Sequence, residues 1–241
     1  MDVAVITRLL DLNRQFYQTF ASQFSSTRRR LQPGVHRILD KVDPSDRILD
    51  LGCGNGELAR GLVSRGHKGL YVGLDFSAEL LAEARKRLPS NDQTAFLQVD
   101  LSTPGWDAAL PAGSFDVILA FAVLHHLPGV HLRRHVLEIA RNRLASRGRF
   151  IHSVWQFLNS KRMRQRLHPW EEAGLSPLEV DPGDYLLDWR EGGFGLRYVH
   201  HFALDELETL AKTTGFQVGE TFFSDGAEGN LGMYQVWMPA K

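Results

Sequence analysis

The sequence predicts an α/β fold, one mostly parallel sheet with helices on both faces. Three observations predict it. Apolar strand-like runs alternate with helix-spaced ones through most of the chain. The first such run passes straight into a glycine turn and a helix, in Arg47-Ile48-Leu49-Asp50-Leu51-Gly52-Cys53-Gly54-Asn55-Gly56-Glu57-Leu58. The 241 residues, 43% hydrophobic and 23% charged, are enough for one large domain carrying an insertion, and two independent domains are not expected.

In chain order, Val3, Ile6, Leu10, Tyr17, Phe20 and Phe24 stand at helical spacing, which predicts an amphipathic N-terminal helix broken near Ser22. Further helices are expected at 35–41, 57–64, 78–88, 132–144 and 203–213; in the fourth, Leu132, Val136, Ile139, Ala140 and Leu144 share a face. Strands are expected at 47–51, 70–74, 95–99, 115–121 and 149–155, then near 216–223 and 233–238 as a closing antiparallel hairpin. Between them, residues 156–197 are rich in charge, and Pro177, Pro182, Gly183, Gly192, Gly193 and Gly195 predict broken structure, read as an insertion over the active-site edge. The organisation expected is a helical cap (1–45), a cofactor core (46–155), an insertion and substrate region (156–202), and a final helix with hairpin (203–241).

The glycine turn is spaced G-x-G-x-G, whereas a pyrophosphate-binding turn is usually G-x-G-x-x-G. Asp50, at the strand end before it, would repel a phosphate and attract an ammonium group. Gly52, Gly54 and Gly56 let a ligand press against the main chain where a Cβ would collide. A zwitterionic nucleotide-type cofactor is therefore favoured over a dinucleotide. Asp75 closes the second strand about 20 residues past the glycines, where a carboxylate hydrogen-bonds ribose hydroxyls. Phe76 beside it can lie along an adenine face. The third strand ends in Asp100-Leu101, and the fourth, ending at Phe121, runs into Ala122-Val123-Leu124-His125-His126-Leu127.

These four elements, in this order, resemble the motifs of class I S-adenosylmethionine (SAM) methyltransferases. The resemblance implies a Rossmann-like sheet of seven mostly parallel strands with one antiparallel C-terminal strand. It also implies SAM as cofactor, with Asp50, Gly52, Cys53, Gly54, Asn55 and Gly56 around its methionine part and Asp100 and Leu101 at the adenine amino group. The fourth strand end, at Phe121 and His125, would face the transferable methyl.

Outside the core, Phe16-Tyr17-Gln18-Thr19-Phe20-Ala21-Ser22-Gln23-Phe24-Ser25-Ser26-Thr27-Arg28 is similar to the N-terminal signature, roughly Y-x-x-I-A-x-x-F-S-x-T-R, of the tRNA wobble-uridine carboxyl methyltransferases. Gly183-Asp184-Tyr185-Leu186-Leu187-Asp188-Trp189 resembles that family's G-D-x-x-x-x-W element, and Arg197-Tyr198-Val199-His200-His201-Phe202 with Glu206-Leu207 resembles its R-Y-Y-H element, with Val199 in place of an aromatic. The resemblance implies methyl-ester formation on a carboxymethyl uridine of a tRNA, with a small activator protein in some members. Arg28 and Arg197 are then the candidates to hold the carboxylate, and Tyr17 and His200 to line its pocket. Arg28-Arg29-Arg30, the run from Lys161 to Arg166, and Arg133-Arg134 would carry RNA phosphates, with Trp155, Trp170 and Trp189 as base-stacking or core residues.

Composition excludes other classes. Twenty-eight basic and twenty-eight acidic residues cancel, so no global field marks a nucleic-acid binder, and any RNA contact is local. No apolar run approaches the roughly 18 residues of a membrane span, and no signal-peptide core opens the chain, so a soluble, cytoplasmic enzyme is expected. The single cysteine, Cys53, supports neither a disulfide nor a CxxC metal site and reads as a loop filler. His131 and His135 stand four apart without a third ligand, so no metal is expected. Three functions remain open: the tRNA enzyme, a small-molecule methyltransferase whose base would be His125, His126 or His200, and a non-catalytic SAM-binding scaffold. No [ND]-P-P-[YF] motif follows the fourth strand, against amino-group methylation of adenine or glutamine.

Overall fold

The computed structural model describes residues 1–27 and 30–240. The first basic cluster therefore falls partly outside the described residues, and Arg28, the candidate carboxylate holder, lies outside them with Arg29.

The parallel strands are β1 (Ile48–Leu51), β2 (Tyr71–Asp75), β3 (Thr94–Gln98), β4 (Phe115–Phe121) and β5 (Leu144–Trp155). Of these, β1, β2 and β4 are short apolar runs buried almost throughout, as helices on either side of a sheet require, while β3 is partly exposed and the longer β5 is buried mainly in its second half. With the hairpin β9 (Phe216–Ser224) and β10 (Gly232–Pro239), the five form a seven-stranded sheet in the order β3-β2-β1-β4-β5-β10-β9. Among the described strands of this sheet, β10 alone runs opposite to the other six, pairing antiparallel with both β5 and β9. Both the closing hairpin and the seven-stranded sheet agree with the fold expected from sequence.

Alternation along each strand divides the core. Leu49, Leu51, Val72, Leu74 and Ile118 face α5 (Val130–Arg143) and α7 (Leu204–Thr213). Ile48, Tyr71, Val117 and Leu119 face α2 (Pro33–Leu39), α3 (Glu57–Ser64) and α4 (Ala78–Arg87). Local chemistry starts the helices where expected: Pro33 begins α2, where its missing N–H costs nothing, and the Ser77 hydroxyl caps α4 by accepting from the Leu80 N–H at 3.2 Å.

The insertion departs from the expected broken structure. It folds into a three-stranded antiparallel sheet, β6 (Leu167–His168), β7 (Asp184–Trp189) and β8 (Gly195–His200), preceded by the short helix α6 (Lys161–Arg164). The glycines stand at the strand ends: Gly183 precedes β7, and Gly192 and Gly193, with φ of 74° and 144°, make the turn into β8. Polar residues hide the strand pattern because they are buried in pairs, the Tyr198 hydroxyl donating to Asp184 at 2.7 Å.

Helix α1 (Val3–Thr27) packs on β8. Its break falls at Phe20 (φ −110°, ψ 16°), two residues before the expected position, where the Phe20 ring lies against the backbone of Gly193 and Gly195. A Cβ on Gly195 would stand 2.4 Å from that ring, so glycine lets the helix approach. Asn13 joins the two elements: its Oδ1 accepts from the Tyr198 N–H at 2.8 Å, and its Nδ2 donates to the carbonyls of Tyr198 at 3.2 Å and His126 at 3.3 Å. The two bonds to Tyr198 are buried and the one to His126 partly so, and Asn13→Ala strands the Tyr198 backbone groups without these partners. We expect that variant to lose about 2 kcal/mol of unfolding free energy in a denaturant titration with an unchanged m-value.

Candidate functional site

The carboxyl ends of β1, β2 and β4 and the loop after β3 open into one cavity of about 460 Å³, a size suited to a nucleotide-type ligand. It is roofed by α1 through Leu10, Asn13, Arg14, Tyr17 and Phe24, and walled on the far side by the insertion through Arg162, Met163, Arg166, Trp189 and Arg197.

The glycine turn forms one wall. Gly52, Gly54 and Gly56 all have positive φ, at 69°, 55° and 72°. A Cβ on Gly52 would meet Val123 at 2.6 Å and one on Gly56 would meet Ala84 at 2.8 Å, so those two glycines serve packing. A Cβ on Gly54 would meet no atom within 4 Å, which leaves its backbone bare to the cavity. Cys53 is buried, and burial first, then the charges of Asp75 and Asp50, push its thiol up, so it is no thiolate nucleophile. Asn55 donates to Ser25 of α1 at 3.0 Å and lines the cavity from there.

Two buried carboxylates stand at the strand ends. Asp75 Oδ2 accepts from the Gly54 N–H and Oδ1 from the Ser77 N–H, both at 2.9 Å. Burial outweighs these bonds and pushes Asp75 up to about 6. Asp50 accepts from the Tyr71 hydroxyl at 2.6 Å and is pushed up to about 7, by burial first and also by the charge of Asp75. The folded chain therefore takes up a proton at Asp75 between pH 6 and the ordinary carboxylate range, and its stability without ligand falls as pH rises through that window.

Phe76, Leu101 and Phe121 line the cavity as expected. Asp100 lines it too, with its carboxylate held by Arg14 and Ser102; against the burial that would raise it, those hydrogen bonds bring it below the usual range. After Phe121, Ala122 takes φ of 57°, a conformation costing a non-glycine residue about 1 kcal/mol, and its N–H donates to the Ser153 carbonyl at 3.0 Å. This bend turns the chain so that Val123 and His126 reach the cavity.

The expected catalytic candidates separate. Arg197 is at the cavity wall: its guanidinium carbon lies 4.6 Å from the Trp155 ring centre, 5.1 Å from Phe16 and 5.7 Å from Trp189. His125 and His200 do not line the cavity. His125 is fully buried behind it, stacked at 5.0 Å on Trp155, and burial keeps it neutral. The neighbouring His126 faces the cavity instead, its Nε2 2.8 Å from the Tyr17 hydroxyl and its Nδ1 3.2 Å from the Tyr198 carbonyl. With Nδ1–H donating to that carbonyl, Nε2 is the acceptor for Tyr17. His200 lies between Asp184 at 2.6 Å and Glu206 at 2.9 Å, and although burial opposes it these bonds raise its pKa. It ties β8 to α7 and is not available as a base.

The other residues singled out by sequence also divide. Arg133 is buried, over the Phe202 ring and 3.7 Å from Glu206, so the pair Arg133-Arg134 offers no RNA surface of two arginines. Trp170 packs with Val5, Leu9 and Tyr198 as core, whereas Trp155 and Trp189 line the cavity. Among the described residues, no three His, Cys, Asp or Glu side chains are grouped to hold a metal. Sequence reading missed Arg14, Ser153, Asp225 and Tyr234, all of which line the cavity. Only Arg14 carried a signal, standing on the same helical face as Leu10 and Tyr17.

The geometry agrees with the comparisons. A family model described as a methyltransferase domain matches residues 49–150. A putative methyltransferase of Encephalitozoon cuniculi is 31% identical over 85% of this chain and 86% of its own. The tRNA (carboxymethyluridine(34)-5-O)-methyltransferase of Schizosaccharomyces pombe is 25% identical over 86% of this chain and 89% of its own. Trans-aconitate 2-methyltransferase of Acidovorax ebreus is 36% identical, over 49% of this chain and 41% of its own. Among solved structures, the putative methyltransferase in complex with the Trm112 methyltransferase activator of Haloferax volcanii superposes with a TM-score of 0.68 at 17% identity, covering 97% of this chain and 98% of its own.

If Asp75 accepts from the ribose hydroxyls of a bound cofactor, as the sequence leads one to expect, cofactor affinity will fall as pH is lowered through about 6, because protonation removes the acceptor. Calorimetric titration across pH 5–8 reads this, and Asp75→Asn is expected to bind weakly and without that step.

Proposed function

The chain belongs to the class I SAM-dependent methyltransferases, and on that premise we propose that it esterifies the carboxylate of a carboxymethyl-type wobble uridine in tRNA. The observation that carries this reading is Arg197, a guanidinium almost wholly removed from solvent yet lining the cofactor cavity. Such a group recognises a planar anion. The likeness to the fission-yeast tRNA enzyme along nearly the whole chain supports the same acceptor.

The cofactor supplies an electrophilic methyl carbon on its sulfonium. Asp50 and the turn from Gly52 to Gly56 would hold its amino-acid part, Asp75 and Phe76 the ribose and adenine face, and Leu101 and the Asp100 region the adenine edge, with Tyr17 and Phe121 lining the same cavity. A carboxylate of pKa about 4 is ionised at neutral pH and needs no general base. The two histidines withdrawn from the cavity are consistent with that. The chain's task is to align an oxygen with the methyl carbon and to compensate the desolvated acceptor charge, which falls to Arg197 between Trp155 and Trp189. Lys161, Arg162 and Arg164, exposed on α6 beside the cavity, would carry RNA phosphates, with Arg30, which also lines the cavity. A small activator protein, as bound by the Haloferax neighbour, is part of the same reading.

A second acceptor class has a specific observation behind it. The core aligns with trans-aconitate 2-methyltransferases, and the net charge is zero. A free carboxylic acid would use Arg197 in the same way.

Transfer of label from radiolabelled SAM, with bulk tRNA and a metabolite extract offered in parallel, tests the reading. Alkali-labile label on tRNA is expected; label confined to the extract would replace RNA by a small acid. In the productive assay, Arg197→Met is expected to lower kcat/KM on the order of 100-fold while SAM affinity holds, and Arg197→Lys to recover little of it.

A further inference from the structure

Four donors converge on the carboxylate of Asp100. Its Oδ1 accepts from the Ser102 N–H at 2.8 Å and the Ser102 hydroxyl at 2.6 Å. Its Oδ2 accepts from Arg14 Nε at 3.0 Å and Nη2 at 2.7 Å. A carboxylate offers about four lone-pair positions, so all are taken. Yet this strand end is where the adenine amino group is expected, and a neutral amine needs an open acceptor.

The two pairs of donors differ in what their release costs. Ser102 is two residues away, and its contacts form a local turn that stays with the loop. Arg14 reaches across 86 residues from α1, its side chain 33% exposed against 29% for Asp100, so the contact is solvent-screened and weak. Arg14 also has a second partner on its own helix, Asp11 at 2.6 Å, which keeps its charge compensated if it leaves. The neighbouring links of α1 across the cavity, Asn13 to Tyr198 and Tyr17 to His126, are hydrogen bonds from more deeply placed residues of the helix.

We propose that Arg14 competes with the adenine amino group for Asp100, so that cofactor binding exchanges a helix-to-strand ion pair for a cofactor hydrogen bond and releases α1 at that turn. Arg14 is thus a positioning residue, holding α1 across the cavity through Asp100 where the adenine does not take that acceptor. The inference concerns the cofactor half of the site and holds for either acceptor.

Calorimetric binding of S-adenosylhomocysteine and of its 6-oxo (inosyl) analogue, which lacks the amino group, tests it on wild type, Arg14→Met and Arg14→Lys. The competition predicts that Arg14→Met binds S-adenosylhomocysteine roughly two- to five-fold more tightly, leaves the analogue unchanged, and that Arg14→Lys falls between. Raising salt is expected to tighten the wild type and not Arg14→Met. Unchanged or weaker binding of S-adenosylhomocysteine, or equal shifts for both ligands, would overturn the proposal. A melting curve establishes that each variant is folded; should Arg14→Met melt below the titration temperature, Arg14→Lys carries the same signs.

Discussion

The site is organised by one buried carboxylate. Asp75 ends β2, accepts the Gly54 N–H from the glycine turn, and accepts the Ser77 N–H where α4 begins. A single side chain thus sets the positions of a strand end, a loop and a helix start that sequence places 21 residues apart. The turn then closes on its neighbours: Cys53 packs against Gly73, where a Cβ would stand 2.8 Å from its sulfur, and Gly56 against Ala84. Burial raises Asp75, which is the cost of placing an acceptor there before any ligand supplies donors.

Charge then divides the cavity. Asp50 and Asp75 lie at its inner end, beside bare backbone at Gly54, and suit the cationic and hydroxyl-bearing parts of SAM. Arg162, Arg166 and Arg197 lie on the insertion side, where an anionic acceptor would approach. Under the proposed function, an electrophilic cation and an anionic nucleophile would meet between these groups, and catalysis by approximation would need little more than the alignment of the two. Helix α1 completes the enclosure, attached through Arg14, Asn13 and Tyr17 to three different parts of the fold.

Much of this was legible beforehand. The core strands showed as short apolar runs because both faces of a parallel sheet are buried, and the glycine spacing with Asp50 and Asp75 pointed to residues that the fold brings to one cavity, because glycine permits close backbone approach and a carboxylate accepts hydrogen bonds. The insertion was not legible. Asp184, Asp188, Arg197 and His200 sit inside β7 and β8, and their polarity reads as loop until the cross-strand partners are known. For the same reason His200 resembled a base: a histidine clamped by Asp184 and Glu206 has the same letter in the chain as one facing a substrate.

What the sequence by itself determined is the order of elements and the sheet, which follow from local periodicity, and a glycine turn flanked by Asp50 and Asp75 whose likeness to a known family implied the cofactor. Tertiary structure alone decided between neighbours and between distant partners. It turned His126 into the cavity and His125 away from it through the bend at Ala122, buried Arg133, and brought Arg14 onto Asp100. Those outcomes depend on which side of a bend or helix a residue lands and what packs against it, and contacts across 86 residues leave no periodic trace in the chain.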